Sequence, residues 1–244
     1  MNKNRLVRMM SPFVFSFAVL FLLTGQVSAA SRVELIDVPT CETVGHGACD
    51  VNFRVYEQGC VKTRLLYGIM PKLDLGVVWG MDNLIGRGGI TVQIPDIYIK
   101  FMALELKEVY PGFAIGFDGQ GWDVSDPTST KYEPDIGKGF FFVISHNLRP
   151  NMVGLHAGIN ARSNFRDFQP GRDLFGFLGM HYNPDEQNFF FLEWDNIHDM
   201  QDSRLNLGYR YWVIPEVALE LSLMNMGGGP NFNRILRFTY SSAF

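Results

Sequence analysis

Many segments of about ten residues alternate apolar and polar side chains along this chain. Within residues 73–82 the odd positions are all apolar, whereas the even ones include Asp74, Gly76, Gly80 and Asp82. The same alternation occurs over residues 50–57, 152–162, 204–212 and 216–224. Because successive side chains of a strand point to opposite faces, this pattern predicts strands with one apolar and one polar face.

Short connections that contain a proline separate several of these segments. They centre on Pro71, Pro111, Pro150, Pro184 and Pro215, and proline marks strand ends because it cannot donate to a β-ladder. Longer, more polar connections lie between them, as in a membrane barrel with short turns at one end and long loops at the other. The predicted strands are 49–57, 61–70, 72–83, 97–107, 111–121, 138–148, 151–162, 173–182, 187–197, 203–213, 215–226 and 233–244. The pattern therefore predicts an all-β fold, a transmembrane antiparallel up-and-down β-barrel of about 12 strands. Ile90–Ile94 could form a further short strand.

The N-terminus has the features of an export signal. Lys3, Arg5 and Arg8 precede an apolar run, and small residues follow at Ser28 and Ala30. A run of about a dozen residues is too short to span a bilayer as a helix, so we expect residues 1–30 to be a cleaved signal peptide. Residues 31–48 are then expected to form a periplasmic N-terminal segment. Within it, residues 32–38 are another candidate strand, which could instead lie in the periplasm or plug the barrel. Residues 49–244 would form the barrel.

Charge argues against one class of partner. Without the three basic residues of the signal, about 18 basic residues face 25 acidic ones, a mature charge of about −7. Nucleic acid is therefore not an expected partner.

The final strand supports an outer-membrane location. Leu236, Phe238, Tyr240 and Phe244 fall in one outward register, and the strand resembles the C-terminal recognition signal of bacterial outer-membrane barrels. The resemblance implies insertion by the barrel-assembly machinery, with lipid and lipopolysaccharide as neighbours. A terminal phenylalanine that caps a soluble core is the alternative.

A narrower resemblance concerns about a third of the mature chain. Residues 81–86, Met-Asp-Asn-Leu-Ile-Gly, and 110–118, Tyr-Pro-Gly-Phe-Ala-Ile-Gly-Phe-Asp, look like segments of the YjbH-type barrels associated with exopolysaccharide production. This resemblance implies a role in making or exporting an envelope polysaccharide, with polysaccharide-export components as partners. It brings no catalytic motif and no cofactor.

Charged residues of both signs occupy the polar register and are predicted to line the lumen. They are Arg54, Arg64, Asp74, Asp82, Asp118, His156, Arg162, Glu193, Asp195, Arg204, Arg210, Glu216, Glu220 and Arg237. Arg64 and Asp74 fall on adjoining predicted strands, as do Asp195 with Arg204, and Arg210 with Glu216. Such charges either screen solutes in a water-filled passage or pair across the lumen and close it. Twelve strands leave room only for a narrow passage.

Two groups of residues suggest a hydrolase. Twelve-stranded outer-membrane phospholipases use serine, histidine and asparagine, the residues of 145–147, but neighbours in a strand point to opposite sides and cannot act as nucleophile and base. An acidic group near a rim could activate water, hold Ca²⁺ or simply be a solvated loop. It comprises Asp195, Asn196, His198, Asp199 and Asp202. We predict no catalytic site.

Three cysteines, Cys41, Cys49 and Cys60, lie near the N-terminus of a protein expected in an oxidising compartment. Cys49 and Cys60 would lie about 30 Å apart along the first strand, whereas a disulfide requires Cα atoms within about 7 Å. Cys41 and Cys49 are therefore the predicted disulfide. A zinc site that includes His46 is the alternative, and we predict no metal.

These observations predict a narrow passive channel of the bacterial outer membrane, porin-like, or an envelope component linked to exopolysaccharide export. A closed barrel with a structural or surface-interaction role is the alternative from another class, and an outer-membrane hydrolase is a third.

Overall fold

The computed structural model describes residues 33–56, 59–87, 89–119, 139–150, 152–161, 174–197, 203–226 and 233–243. Thirteen strands form in this part of the chain. They are β1 (Ala48–Val55), β2 (Val61–Met70), β3 (Leu73–Asp82), β4 (Thr91–Val92), β5 (Asp96–Leu104), β6 (Gly112–Asp118), β7 (Gly139–Arg149), β8 (Val153–Ala161), β9 (Leu174–Tyr182), β10 (Asn188–Asp195), β11 (Arg204–Ile214), β12 (Val217–Met224) and β13 (Asn233–Ala243).

Twelve of these strands close into an antiparallel barrel, as predicted. Each long strand pairs with its neighbours in the chain, and β1 pairs with both β2 and β13, so the wall has no open edge. The short strand β4 lies outside this ring, because it pairs only with Met81 and Asp82 at the end of β3. Closure matters because unpaired backbone groups are costly in hydrocarbon.

The five proline-containing connections join β2 to β3, β5 to β6, β7 to β8, β9 to β10 and β11 to β12. In an antiparallel ring of twelve strands, these connections all lie at one end of the barrel. The start of β1 and the end of β13 lie at that same end. The agreement between proline positions and strand count is therefore confirmed.

The strands have an apolar outer face and a polar inner face. In β12 the side chains of Leu219, Leu221 and Leu223 point outward, whereas those of Glu220 and Ser222 are buried on the inside. In the described part of the chain, no helix is long and apolar enough to cross a membrane.

Residues 33–47, which we call the lumen segment, lie inside the barrel. Leu35, Ile36, Val38 and Cys41 are fully or almost fully buried. The segment folds back on itself, since the Thr40 amide donates to the Val33 carbonyl at 3.1 Å. The expectation of a periplasmic segment at 31–48 is therefore wrong for residues 33–47, which instead bind to charged side chains of the inner wall.

Candidate functional site

The inner wall carries charged side chains on five neighbouring strands, β2, β1, β13, β12 and β11. Arg54 on β1 is directly opposite Arg237 on β13, which is opposite Glu220 on β12, which is opposite Arg210 on β11. Arg64 lies on the other side of β1, on β2. All five side chains are buried. The alternation of each strand turns these residues inward. The ladder register brings four of them to one level of the lumen, whereas Arg64 is opposite Asn52, two residues from Arg54.

Two carboxylates of the lumen segment bind arginines of this group. Arg64 holds Glu34 with both terminal nitrogens, at 2.6 Å to each carboxylate oxygen, and Arg237 lies 3.1 Å from the same carboxylate. Arg54 donates to Asp37 at 2.6 Å. Burial alone would raise the pKa of Glu34, but the guanidinium groups of Arg64 and Arg237 lower it to about 2. The carboxylate therefore stays charged at neutral pH.

Carbonyl oxygens of the segment accept hydrogen bonds from further side chains of the wall. Arg210 donates to the Leu35 carbonyl at 2.9 Å, and Arg237 donates to the same carbonyl at 3.0 Å and to that of Ile36. On the opposite side, the Lys100 ammonium of β5 donates to the carbonyls of Val33 and Thr40, at 2.8 and 3.1 Å.

Glu193 of β10 binds the amides of the same turn. Its Oε1 atom accepts from the backbone N–H groups of Ile36, Asp37 and Val38 at 2.7, 2.9 and 2.8 Å. The other carboxylate oxygen, Oε2, accepts from Asn206 at 3.2 Å. Side chains of neighbouring strands thus bind both the amides and the carbonyls of the turn. Hydrogen bonds to a charged carboxylate are the stronger kind.

A chain of polar groups holds the next part of the segment. The Cys41 amide donates to the Ser145 hydroxyl at 3.0 Å, and that hydroxyl lies 2.8 Å from His156 Nδ1. The other ring nitrogen of His156 lies 2.9 Å from His181 Nδ1. Further along, the Val44 amide donates to the Asp74 carboxylate at 3.1 Å.

Wall glycines make room for the segment's apolar side chains. A Cβ atom at Gly179 would lie 2.7 Å from Leu35 Cδ1, and one at Gly208 would lie 2.8 Å from Ile36 Cγ1. Both distances are too short for ordinary van der Waals contact. The wall therefore fits this segment, and the side chains of leucine and isoleucine fill space that larger wall residues would take.

Little space remains beside the segment. A cavity of about 20 Å³ is lined by Glu34, Asp37, Asp118 and Asp195 together with aromatic and other side chains. That volume holds about one water molecule. The space beside this part of the lumen segment is therefore small.

The predicted lumen residues fall into three groups. Arg162 lies outside the described residues, and Asp82, Asp195, Arg204 and Glu216 are half-buried near strand ends. The rest are buried inside the barrel, namely Arg54, Arg64, Asp74, Asp118, His156, Glu193, Arg210, Glu220 and Arg237.

The structure gives these charges the following contacts. Arg210 binds Glu220, which faces it directly in the register, with its Nε atom 2.8 Å from the carboxylate. Arg64 lies on β2 and Asp74 on the adjoining β3, and Arg64 binds Glu34 of the lumen segment. Asp195 and Arg204 are direct neighbours in the ladder between β10 and β11.

The predicted disulfide between Cys41 and Cys49 is wrong, since all three cysteines are free. Cys41 is inside the lumen, beside Ser145. Cys49 belongs to the outward register of β1, opposite Tyr67. The barrel wall separates the two thiols, although only eight positions separate them in the sequence.

The candidate hydrolase residues are dispersed. Ser145 points into the lumen and contacts His156 on the neighbouring strand, whereas His146 is half-buried in the other register of β7. Asp195 and Asn196 lie at the end of β10, and His198, Asp199 and Asp202 are outside the described residues. Of the predicted assembly signal, Leu236 is exposed, Phe238 and Tyr240 share its outward register, and Phe244 is outside the described residues.

Sequence reasoning missed the acidic residues Glu34 and Asp37 and the lysine at position 100 as lumen groups. A usable signal was present, because Glu34 and Asp37 flank the apolar residues Leu35 and Ile36 ahead of the first strand. A segment with charged and apolar residues at such spacing suits a polar lumen with small apolar pockets.

No known family model matches the sequence, and no curated protein is similar to it. Among solved structures, the barrel is similar to the KdgM porin, with 9% identity, a TM-score of 0.50, and coverage of 81% of this chain and 99% of that chain. The outer membrane protein Omp33 of Acinetobacter baumannii also matches, with 6% identity and a TM-score of 0.42 over 81% of this chain and 97% of its own. At 9% identity, the likeness to the KdgM porin shows the fold.

The outer surface agrees with that fold. Leu65, Phe101, Ile115, Leu192 and Leu221 are all exposed on the outside of the closed wall. An apolar surface of this kind is unfavourable in water and is covered by lipid in a membrane barrel. The closed 12-stranded barrel and its apolar belt place the protein in the outer membrane of a bacterium.

Proposed function

We propose that this protein is a narrow passive channel of the outer membrane whose lumen segment closes it, and that solutes pass when the segment is displaced. The observation that supports this proposal is that side chains of the barrel wall bind the segment. Leu35, Ile36 and Val38 are held by side chains such as Glu193 and Arg237, and the bridge that the segment forms, between Glu34 and Pro39, is internal to it. Displacement would therefore leave the strand ladder of the wall intact.

The inner face of the wall behind the segment is polar and could be hydrated. Its buried inward groups include arginine, lysine, aspartate, glutamate and histidine side chains, which an aqueous lumen would hydrate. The likeness to the KdgM porin in fold supports the same proposal.

A closed structural barrel is the second candidate. The glycines at 179 and 208, which leave space for Leu35 and Ile36, favour a segment that stays in place. The exopolysaccharide role implied by the YjbH resemblance, and the export partners that it implies, remain predictions from the sequence. The absence of a catalytic site is also a prediction from the sequence.

The test is the single-channel current of the refolded mature protein in a planar bilayer, compared with a Gly179→Val variant. The added side chain would meet Leu35 and Val38 and would push the segment out of its pocket. Gly176→Val is the matched control on the same strand, because a side chain there would meet Ile197 and not the segment.

We expect rare openings in the unmodified protein and in Gly176→Val, and at least a tenfold higher open probability in Gly179→Val. A tenfold change corresponds to about 1.4 kcal/mol. The proposal is overturned if Gly179→Val is folded and its Cys41 thiol becomes reactive, yet the membrane stays silent. That result would favour the closed structural barrel.

A further inference from the structure

We propose that Arg54, Arg64 and Arg237 form a carboxylate-binding site in the lumen, which the protein's own Glu34 and Asp37 fill in the closed state and carboxylate-bearing solutes fill in the open one. This inference rests on the proposed channel function. It adds the chemical class of solute and makes the lumen segment a competitor for the same site.

The bound carboxylates show what the site accepts. Arg64 contacts both oxygens of Glu34 at 2.6 Å, the two-pronged geometry in which a guanidinium matches a planar carboxylate. Arg237 adds a third contact at 3.1 Å, and Arg54 holds Asp37 at 2.6 Å. The arginines are nearly inaccessible to solvent, so the site is built into the wall and is not a surface pair.

Displacement of the segment would lower the negative charge around the arginines. Glu34 and Asp37 supply two of the carboxylates that contact Arg54, Arg64 and Arg237, and Glu220, which Arg210 also binds at 2.7 Å, supplies another. Arginine does not lose its proton in proteins. The loss of two carboxylates therefore favours the binding of another anion at this place.

Neighbouring donors extend the site beyond the carboxylate. Arg210 and Lys100 donate to backbone carbonyls of Glu34, Leu35, Val33 and Thr40 in the closed state. A solute with neutral carbonyl or hydroxyl oxygens beside its carboxylate could take up the same donors. A small inorganic anion could satisfy the arginines but not these outlying groups.

The experiment uses the full mature chain with Glu34→Ala, which removes the carboxylate and leaves space for acetate. The midpoint of thermal unfolding in detergent would be measured in sodium acetate, in sodium chloride of equal ionic strength, and with neutral acetamide. Glu34→Gln is the matched control, because its amide fills the same space without charge. The unmodified protein is the second control.

We expect acetate to raise the midpoint of Glu34→Ala by about 5 °C or more in a saturable way, since a ligand that binds only the folded state stabilises it. Chloride and acetamide should have much smaller effects, and acetate should leave Glu34→Gln and the unmodified protein unchanged. Equal effects of acetate and chloride, or equal effects of acetate on all three proteins, would overturn the proposal.

A second measurement covers the case in which Glu34→Ala does not fold. In the Gly179→Val channel, we expect glutarate to reduce the current at concentrations at least tenfold lower than neutral glutaramide does, with sodium chloride added to equalise the ionic strength. Addition of Arg64→Gln should abolish this difference. A conducting channel without the difference overturns the carboxylate site alone. If Gly179→Val carries no current but acetate raises the unfolding midpoint of Glu34→Ala as expected, the channel function is overturned and the carboxylate site is supported.

Discussion

Replacement of Glu193 by glutamine should loosen the lumen segment without damaging the barrel. The carboxylate accepts three backbone N–H groups of the segment at 2.7 to 2.9 Å. A hydrogen bond to a charged group contributes about 1 kcal/mol more than one to a neutral group. Three such bonds therefore give a loss of about 3 kcal/mol in segment binding, or about a 150-fold increase in the displaced population.

The assay uses the buried Cys41 thiol as a reporter, in a background with Cys49→Ser and Cys60→Ser. A small thiosulfonate reagent reacts with Cys41 only when the segment leaves the lumen, so the reaction rate measures the displaced population. We expect the rate in Glu193→Gln to rise about 150-fold. Asp185→Asn is the charge-removing control, since Asp185 lies exposed in the turn before β10. A rate within about threefold of the parent, in a variant that keeps its folded barrel, would refute this account of segment binding.

Two further predictions concern the outer wall and pH. Leu221→Arg places a charge on the lipid-facing side of β12, where the leucine is 63% exposed, and should cost about 2–4 kcal/mol of insertion free energy. The control Leu221→Met should be neutral, and reversible unfolding in lipid vesicles measures both. The lowered pKa of Glu34, about 2 against an ordinary 4.5, contributes stability that is complete above pH 4.5 and is lost as the pH falls through 2. Cys41 should thus stay protected from an acid-tolerant disulfide reagent between pH 7 and 5 and become reactive near pH 3; release at pH 6 would contradict the assignment.

The barrel wall could be predicted from sequence because its determinants are local. Alternation over residues 73–82 and the prolines between strands set the faces and the ends of each strand, and the same register turned Arg54, Glu220 and Arg237 inward. A one-residue slip would have moved every side chain to the other face, so this pattern is strongly constrained.

The contacts of the lumen segment could not be predicted because its partners are remote. Glu193 lies 157 positions from Ile36, and Arg237 lies 202 positions from Leu35. The sequence therefore left a strand, a periplasmic position and a plug open for residues 32–38. The predicted Cys41–Cys49 disulfide was wrong for a related reason, since closeness in sequence does not show that a barrel wall separates the two residues.

The most direct test of the closed channel is a reversible lock between the segment and the wall. The Ser145 hydroxyl accepts from the Cys41 amide at 3.0 Å, so Ser145→Cys should form a disulfide with Cys41 in the Cys49→Ser, Cys60→Ser background. Ser145→Ala in the same background is the control without a cross-link. Single-channel current would be recorded before and after addition of a reductant. The account predicts a silent oxidised protein that gains the openings of the Ser145→Ala control on reduction. Equal currents in the oxidised and reduced states would contradict it.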